Sequence, residues 1–283
     1  MTYPNIDPVA LDLGFVQIHW YGVMYLLAFA SAWLLARHRS RQSWAVVQPK
    51  DVEDLIVYIA FGVIVGGRLG SAIFYNFGHW LDDPLWIFRI WEGGMAFHGG
   101  LIGVLVALWR FSCRIKKPFV PVAEFIVPMV PLGLAFGRLG NFIGGELWGR
   151  PTDGWWGMVF PKADSQPRHP SQLYEMFLEG IVLFIILFWV SRKPRPAGLV
   201  GGLFLFLYGL FRYLVEFVRE PDSGIPLLFD WMTRGQQLCL PMMAAGIALL
   251  IWAWRQKSAP QPQAAQPAEA TKPKKRAKKK RRK

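Results

Sequence analysis

Apolar runs alternate with short charged connections along this chain, and seven of the runs are long enough to cross a bilayer core. They cover about 18–36, 55–75, 95–112, 120–140, 173–190, 198–217 and 236–254. The fold class this predicts is all-α: a polytopic membrane protein with about seven transmembrane helices. Connections 37–54, 113–119 and 191–197 alternate with 76–94, 141–172 and 218–235. Residues 76–94 carry Trp80, Trp86 and Trp91 and read as an interfacial aromatic segment rather than a span. Residues 1–257 form the membrane domain. Residues 258–283 read as a flexible Pro/Ala/Gln linker followed by a disordered polybasic tail.

Charge orients this arrangement. The formal net charge is +13, but from Arg255 onward there are twelve Lys/Arg and one acid, Glu269, which leaves only +2 elsewhere. The first set of connections, with Arg110 at its edge, holds Arg37, Arg39, Arg41, Lys50, Arg114, Lys116, Lys117, Arg192, Lys193 and Arg195. With the tail, 23 of the 32 basic residues fall on one side. The positive-inside rule makes that side cytoplasmic and puts the N-terminus outside and the C-terminus inside. The tail suits anionic lipid headgroups of the cytoplasmic leaflet. A nucleic-acid partner would rest on the tail alone and is the weaker fit. The first 17 residues lack the basic region of a cleavable signal peptide. Cys113 and Cys239 have no motif spacing, so the expectation is two buried small hydrophobes, with no disulfide framework and no metal.

The chemistry-bearing stretch is Gly137-Arg138-Leu139-Gly140-Asn141-Phe142-Ile143-Gly144-Gly145-Glu146-Leu147-Trp148-Gly149. An apolar run ends here by delivering an arginine, an asparagine and a glutamate among five glycines. Ionisable groups at a membrane helix end are costly unless paired, and glycines let backbone N–H groups approach an anion. A glycine-rich packing motif with a snorkelling arginine would also give this stretch. The other spans separate the two readings. Arg68, Arg138 and Arg212 each come late in a span running outward, while His19, Tyr21 and His98 come early in spans that start outside. Five spans thus converge on one depth, which predicts an anion-binding cavity in the outer half of the membrane. Gly67-Arg68-Leu69-Gly70 echoes Gly137-Arg138-Leu139-Gly140, by duplication or by chance. Gly62, Gly66 and Gly70 at spacing four predict a helix-packing face.

The sixth span ends in Tyr208, Arg212, Glu216 and Arg219, which at 100° per residue fall on one polar stripe. Arg212 and Glu216 at i,i+4 can neutralise each other, leaving Tyr208 and Arg219 over. His98 opens the third span and could take a proton from a thiol or alcohol near neutral pH. His169-Pro170-Ser171-Gln172-Leu173-Tyr174-Glu175 enters the fifth span as a helix start, and Gln172, Glu175 and Glu179 could line the same cavity. No Gly-x-Ser-x-Gly, P-loop or His-Glu-x-x-His motif occurs. Arginines hold and neutralise phosphate. The residues therefore point to a phospholipid-handling site working by direct transfer, with arginines stabilising a departing phosphate oxygen.

Residues 137–149 resemble the signature of the bacterial prolipoprotein diacylglyceryl transferases. The resemblance extends to Trp20-Tyr21-Gly22, residues 67–70, His98-Gly99-Gly100-Leu101, His169 to Glu175, and Tyr208 to Asp222, in family order over roughly 15–255. It implies a seven-span enzyme of the bacterial inner membrane, without cofactor or metal. Such an enzyme moves the diacylglyceryl group of phosphatidylglycerol onto the lipobox cysteine of a prolipoprotein and releases glycerol 1-phosphate. Under the resemblance, Arg138 binds the lipid phosphate, with Asn141, Glu146, Arg68 and Arg219 in the same substrate site. Arg212 stabilises phosphate charge, Tyr208 and Glu216 orient it, and His98 and Tyr21 handle or position the proton. Which group activates the thiol stays open. The basic tail departs from the family core. A transporter or flippase for an anionic lipid would also want membrane arginines, but it needs access from both sides, and these polar residues cluster on one.

Overall fold

The computed structural model describes residues 1–4, 6–14, 17–221, 228–229 and 231–256. The expectations for the 258–283 tail, for Asp222 and for residues 222–227 and 230 of the 218–235 connection lie outside the described residues. The described chain is mostly helical: α1 Trp20–Ser40, α2 Val52–Phe74, α3 Phe77–Asp82, α4 Phe97–Arg114, α5 Phe119–Ile126, α6 Val130–Ile143, α7 Ser171–Glu175, α8 Leu183–Val190, α9 Leu199–Val215 and α10 Arg234–Arg255. By length and composition, four helical stretches can cross a membrane: Pro49–Phe74, Phe119–Ile143, Ser171–Val190 and Arg234–Arg255. Leu199–Val215 is apolar but shorter. These helices make the chain a multi-pass membrane protein.

Two stretches depart from uniform helix for local reasons. Pro128 and Pro131 lack the N–H that an α-turn needs, so a 3₁₀ turn, Val127–Met129, joins α5 to α6. A π-turn, Met176–Val182, joins α7 to α8 inside the continuous helix 171–190. Such wide turns recur at functional sites. The expectation of an all-α chain needs one correction. β1 Val9–Asp12 pairs antiparallel with β2 Gln17–His19, and β3 Met158–Val159 pairs with β4 Pro167–Arg168. Pairing satisfies the backbone groups of these non-helical segments.

Small residues set the helix spacing. A Cβ on Gly62 would lie 2.7 Å from the Gly103 carbonyl oxygen, and one on Gly70 would lie 2.6 Å from Gly99 Cα. The glycine face on α2 therefore meets a second glycine face on α4, backbone against backbone. On one side this pair frames an open apolar furrow of about 620 Å³ that includes Phe61, Leu69 and Ile102. Gly202 and Gly246 bring α9 and α10 together in the same way. Where α1, α2, α4 and α5 meet, Leu55, Phe111, Val122 and Phe125 are buried in a core. Beside it Arg39 is buried, its Nη1 2.6 Å from Ser191 Oγ. Cys239 is buried as expected, whereas Cys113 is exposed.

Candidate functional site

The helix 171–190 turns one polar face inward. Ser171, Gln172, Glu175 and Glu179 share that face and are all at most 1% exposed. One residue on, Gly180 packs on α6, where an added Cβ would sit 2.5 Å from the Ala135 Cβ. That close approach carries Glu175 to the arginine of α6, with Arg138 Nε 2.5 Å from Glu175 Oε2. Arg212 of α9 reaches the other oxygen, Oε1, through Nη1. Arg219 Nε lies 3.6 Å from the same Oε1. One buried carboxylate thus gathers guanidinium groups from three places in the chain.

Two further acids complete the cluster. Glu216 Oε2 is 3.1 Å from Arg212 Nη2, and its Oε1 lies 3.8 Å from Arg219 Nη1. Thr233 Oγ1 donates to Glu216 Oε1 at 2.9 Å, and the same threonine caps α10. Glu179, one turn below Glu175, has an oxygen 3.9 Å from Arg212 Nη1 and, among the described residues, no hydrogen bond to either oxygen. Three guanidinium groups face three carboxyl groups, and mutual pairing offsets the cost of removing them from water. Arg138 and Arg212 keep 20% and 14% of their side chains exposed, so the cluster opens at the arginines rather than at the acids.

The glycine-rich stretch after Arg138 forms the rim. Gly140 receives the ring of Tyr21, whose Cδ2 would lie 2.9 Å from an added Cβ, and this sets α1 against α6. Asn141 Nδ2 donates to the exposed Glu146 Oε1 at 2.9 Å. The backbone then turns through Gly145 and Leu147, both at positive φ. The Leu147 conformation is costly for a branched side chain and is held from outside: Ser171 Oγ donates to its carbonyl at 3.0 Å. Gln172 Nε2 donates to the Glu146 carbonyl at 2.6 Å. The helix start that clamps this turn therefore also presents Glu175 one turn later.

Backbone pairing ties the remaining loops to the rim. Gly149 N–H donates to the His169 carbonyl at 2.8 Å, and Arg150 N–H donates to the Val218 carbonyl at 2.8 Å. An added Cβ on Gly149 would lie 2.5 Å from the Val218 oxygen, so only glycine fits there. Arg168 Nη2 pairs with Asp164 at 2.6 Å, and Arg168 Nη1 pairs with Glu220 at 3.0 Å. The hydrogen bond from Arg168 holds the Asp164 carboxyl below its ordinary pKa. Burial pushes the His169 imidazole below its ordinary value. Its Nδ1 lies 3.4 Å from Trp156 Nε1 and 3.2 Å from the Tyr174 hydroxyl.

The structure thus brings Arg138, Arg212, Arg219, Glu216, Asn141 and Glu146 into one region, with Tyr21 against the same helix. Tyr208 lies one turn before Arg212 on α9 and stacks on Phe204 at 5.7 Å. The periodicity argument for Arg219 needs correction. Helix α9 ends at Val215, and Arg219 is held by the turn after it and by a bridge to Gly149. Arg68 stands in a different cluster. Its guanidinium donates to the carbonyls of Trp86, Ile87, Arg89, Gly93 and Gly94 and stacks 3.8 Å over the Trp86 ring. It pins residues 86–94 to α2. His98 is exposed on α4, edge-on to Phe97 at 5.6 Å. Sequence reasoning gave Glu175 only a supporting part, although Gln172, Glu175 and Glu179 at i, i+3 and i+7 on one face of an apolar run were a visible signal.

Apolar helices around a buried arginine–carboxylate cluster define the class: a helical membrane protein with a candidate anion site between its helices. The family model of the prolipoprotein diacylglyceryl transferases matches residues 8–252. Relatives named phosphatidylglycerol–prolipoprotein diacylglyceryl transferase align over nearly their whole length. The one from Methylococcus capsulatus is 56% identical over 92% of this chain and 100% of its own. Those from Coxiella burnetii (55%; 91% and 99%) and Pseudomonas aeruginosa (52%; 94% and 100%) are similar. The chain belongs to the prolipoprotein diacylglyceryl transferase family.

Proposed function

We infer that this chain transfers the diacylglyceryl group of phosphatidylglycerol to the thiol of the lipobox cysteine of prolipoproteins, forming a thioether and releasing glycerol 1-phosphate. The observation that carries this at the site is the pair Arg138 and Arg212 converging on one buried carboxylate. Two planar guanidinium groups that share one carboxylate can also share a phosphodiester. Glu175 occupies the position of that anion, and the lipid phosphate competes with it for the two forks.

The transfer forms a carbon–sulfur bond and breaks the bond between the glyceryl carbon and the phosphate oxygen. The phosphate leaves with that electron pair, and the thiol proton passes to a base. Arg138 and Arg212 neutralise charge developing on the departing oxygen. Asn141 and Glu146 hold the bound lipid from the rim in its reacting orientation, and Arg219, Glu216 and Tyr208 orient Arg212. Tyr21 and His98 are the two groups offered for the thiol proton. Arg68 acts from outside the site by pinning residues 86–94 to α2.

Around this chemistry we propose seven spans within a 1–257 domain in the bacterial inner membrane, with the N-terminus periplasmic and the C-terminus cytoplasmic. The outer connections 76–94, 141–172 and 218–235 then surround the site. The 258–283 tail meets anionic headgroups of the cytoplasmic leaflet. The test uses purified protein, phosphatidylglycerol labelled in its diacylglyceryl part, and a peptide whose apolar run ends in a lipobox cysteine. Mass spectrometry should find the thioether with the natural chain and not with Arg138→Ala. Equal product from both would remove Arg138 from the centre of the site. No product from folded protein would overturn the transferase reading.

A further inference from the structure

Helix α6 delivers Arg138 and Asn141 and then stops, and its end needs partners for its last carbonyl groups. Gly140, Asn141 and Phe142 accept from the N–H groups of Gly144, Glu146 and Gly145 at 2.9, 3.1 and 3.0 Å. The Ile143 carbonyl is met by a residue 140 positions away: the hydroxyl of Tyr3 lies 2.8 Å from it and 2.6 Å from the Phe142 carbonyl. One O–H serves both as a shared bond. Tyr3 is 5% exposed, and its ring packs edge-on to Phe142 at 5.4 Å and against Phe160 at 5.2 Å. Its N–H donates to the Val159 carbonyl, and Val159 N–H donates to the Met1 carbonyl, so the chain is tied to Val159 at the ring and two residues before it. Gly145, at φ +60, packs against the ring, where an added Cβ would sit in ordinary contact 3.5 Å from the Tyr3 oxygen.

This contact falls where it can affect an anion site. The C-terminal end of a helix carries a partial negative charge of about half an electron. Here it ends five residues after Arg138, about 7.5 Å along the axis. Donors on those carbonyls offset that charge and fix the turn. Tyr3 is joined there by Lys162, whose Nζ donates to the Gly144 carbonyl at 2.7 Å. Burial pushes the Tyr3 hydroxyl above its ordinary pKa, so it stays a donor through the working pH range.

We propose that Tyr3 is a positioning residue of the transfer site: its hydroxyl closes the last turn of α6 and fixes Asn141 and Glu146 relative to Arg138. This rests on the assignment of Asn141 and Glu146 to the lipid site. The experiment uses full-length protein in phosphatidylglycerol nanodiscs and compares Tyr3→Phe, Glu146→Gln, the double variant and Phe160→Leu. Tyr3→Phe keeps the ring and loses the donor. It should lower kcat about tenfold while KM for phosphatidylglycerol moves less than about threefold. The double variant should be no more than about threefold slower than Glu146→Gln alone, because both changes loosen one unit. Phe160→Leu loosens the same aromatic cluster without touching the hydrogen bond, and should lower Tm while leaving kcat within about twofold. A normal kcat for Tyr3→Phe, fully multiplicative effects in the double variant, or an equal kcat loss in Phe160→Leu would each overturn the positioning role. Normal activity in Glu146→Gln alone would show that the site assignment itself had failed, and the proposal would fall with it.

Discussion

Glu175 Oε2 lies 2.5 Å from Nε of Arg138, in a protein whose proposed substrate is an anionic lipid. The second oxygen of the same carboxylate bonds Arg212. A buried acid that meets one nitrogen of each guanidinium holds the two half-buried cations together by offsetting their repulsion. The charge of Glu175 is therefore part of the site's construction.

Removing that charge should unsettle the whole cluster. Glu175→Gln leaves Arg138 and Arg212 facing each other with no shared anion. Breaking a buried pair from one side costs about 3–5 kcal/mol. A clear drop in Tm in detergent and at least a tenfold loss of transfer are expected. A variant as stable and as active as the natural chain would contradict the hub role.

Replacing Arg138 by Lys keeps the charge and loses the planar fork. An ammonium can meet Glu175 or a phosphate oxygen, but not with parallel paired N–H groups. Transfer by Arg138→Lys should fall about a hundredfold with Tm nearly unchanged. Steady-state kinetics with labelled phosphatidylglycerol would read this directly. Near-normal turnover would mean that charge alone suffices at this position.

Arg68 should behave differently from Arg138. Its donors end on five backbone carbonyls between Trp86 and Gly94, so Arg68→Lys leaves the buried Trp86 carbonyl and several half-buried ones short of a partner. The expected signature is a loss of about 2–4 kcal/mol of stability and faster proteolysis between 76 and 94, with KM for phosphatidylglycerol within about twofold. A tenfold rise in KM at unchanged Tm would instead return Arg68 to the lipid phosphate.

The α2–α4 contact tolerates no side chain at Gly62. Two methyl groups there would run into the Gly103 carbonyl and the Ala107 methyl, 2.7 and 2.9 Å from the Cβ position. Gly62→Val should cost more than about 3 kcal/mol and leave little folded protein in the membrane fraction. Normal accumulation would show that the two helices can separate without cost.

His169 gives a stability term with a definite sign. Burial depresses its pKa in the folded protein, so the unfolded chain binds more protons over the interval below the ordinary histidine value. The contribution is complete above that value and is lost as pH falls through it. Thermal melts from pH 8 to pH 5 should show a decline that His169→Gln flattens. Equal declines in both proteins would assign the effect elsewhere.

The sequence by itself determined the apolar, helical character of the chain, because membrane length and the burial of backbone polar groups write themselves into apolar runs, four of which are long enough to cross a membrane among the described residues. It also singled out Arg138, Arg212, Arg219, Glu216, Asn141 and Glu146, since charge inside an apolar run is conspicuous wherever the chain later goes. It mistook the reason for Arg219, because helical periodicity describes only a helix that continues, and α9 ends at Val215. Tertiary structure alone decided that Arg68 would spend its donors on residues 86–94 while Arg138 met Glu175. Gly67-Arg68-Leu69-Gly70 and Gly137-Arg138-Leu139-Gly140 are the same four letters, and nothing local distinguishes their arginines. What distinguishes them is the neighbour that each glycine-bearing helix admits: a second glycine face on α4 in one case, and Gly180 of helix 171–190 in the other. Tyr3, 140 residues from the carbonyl it completes, was invisible for the same reason. A hydrogen bond between distant segments leaves no periodicity in the chain, and only packing brings its two ends together.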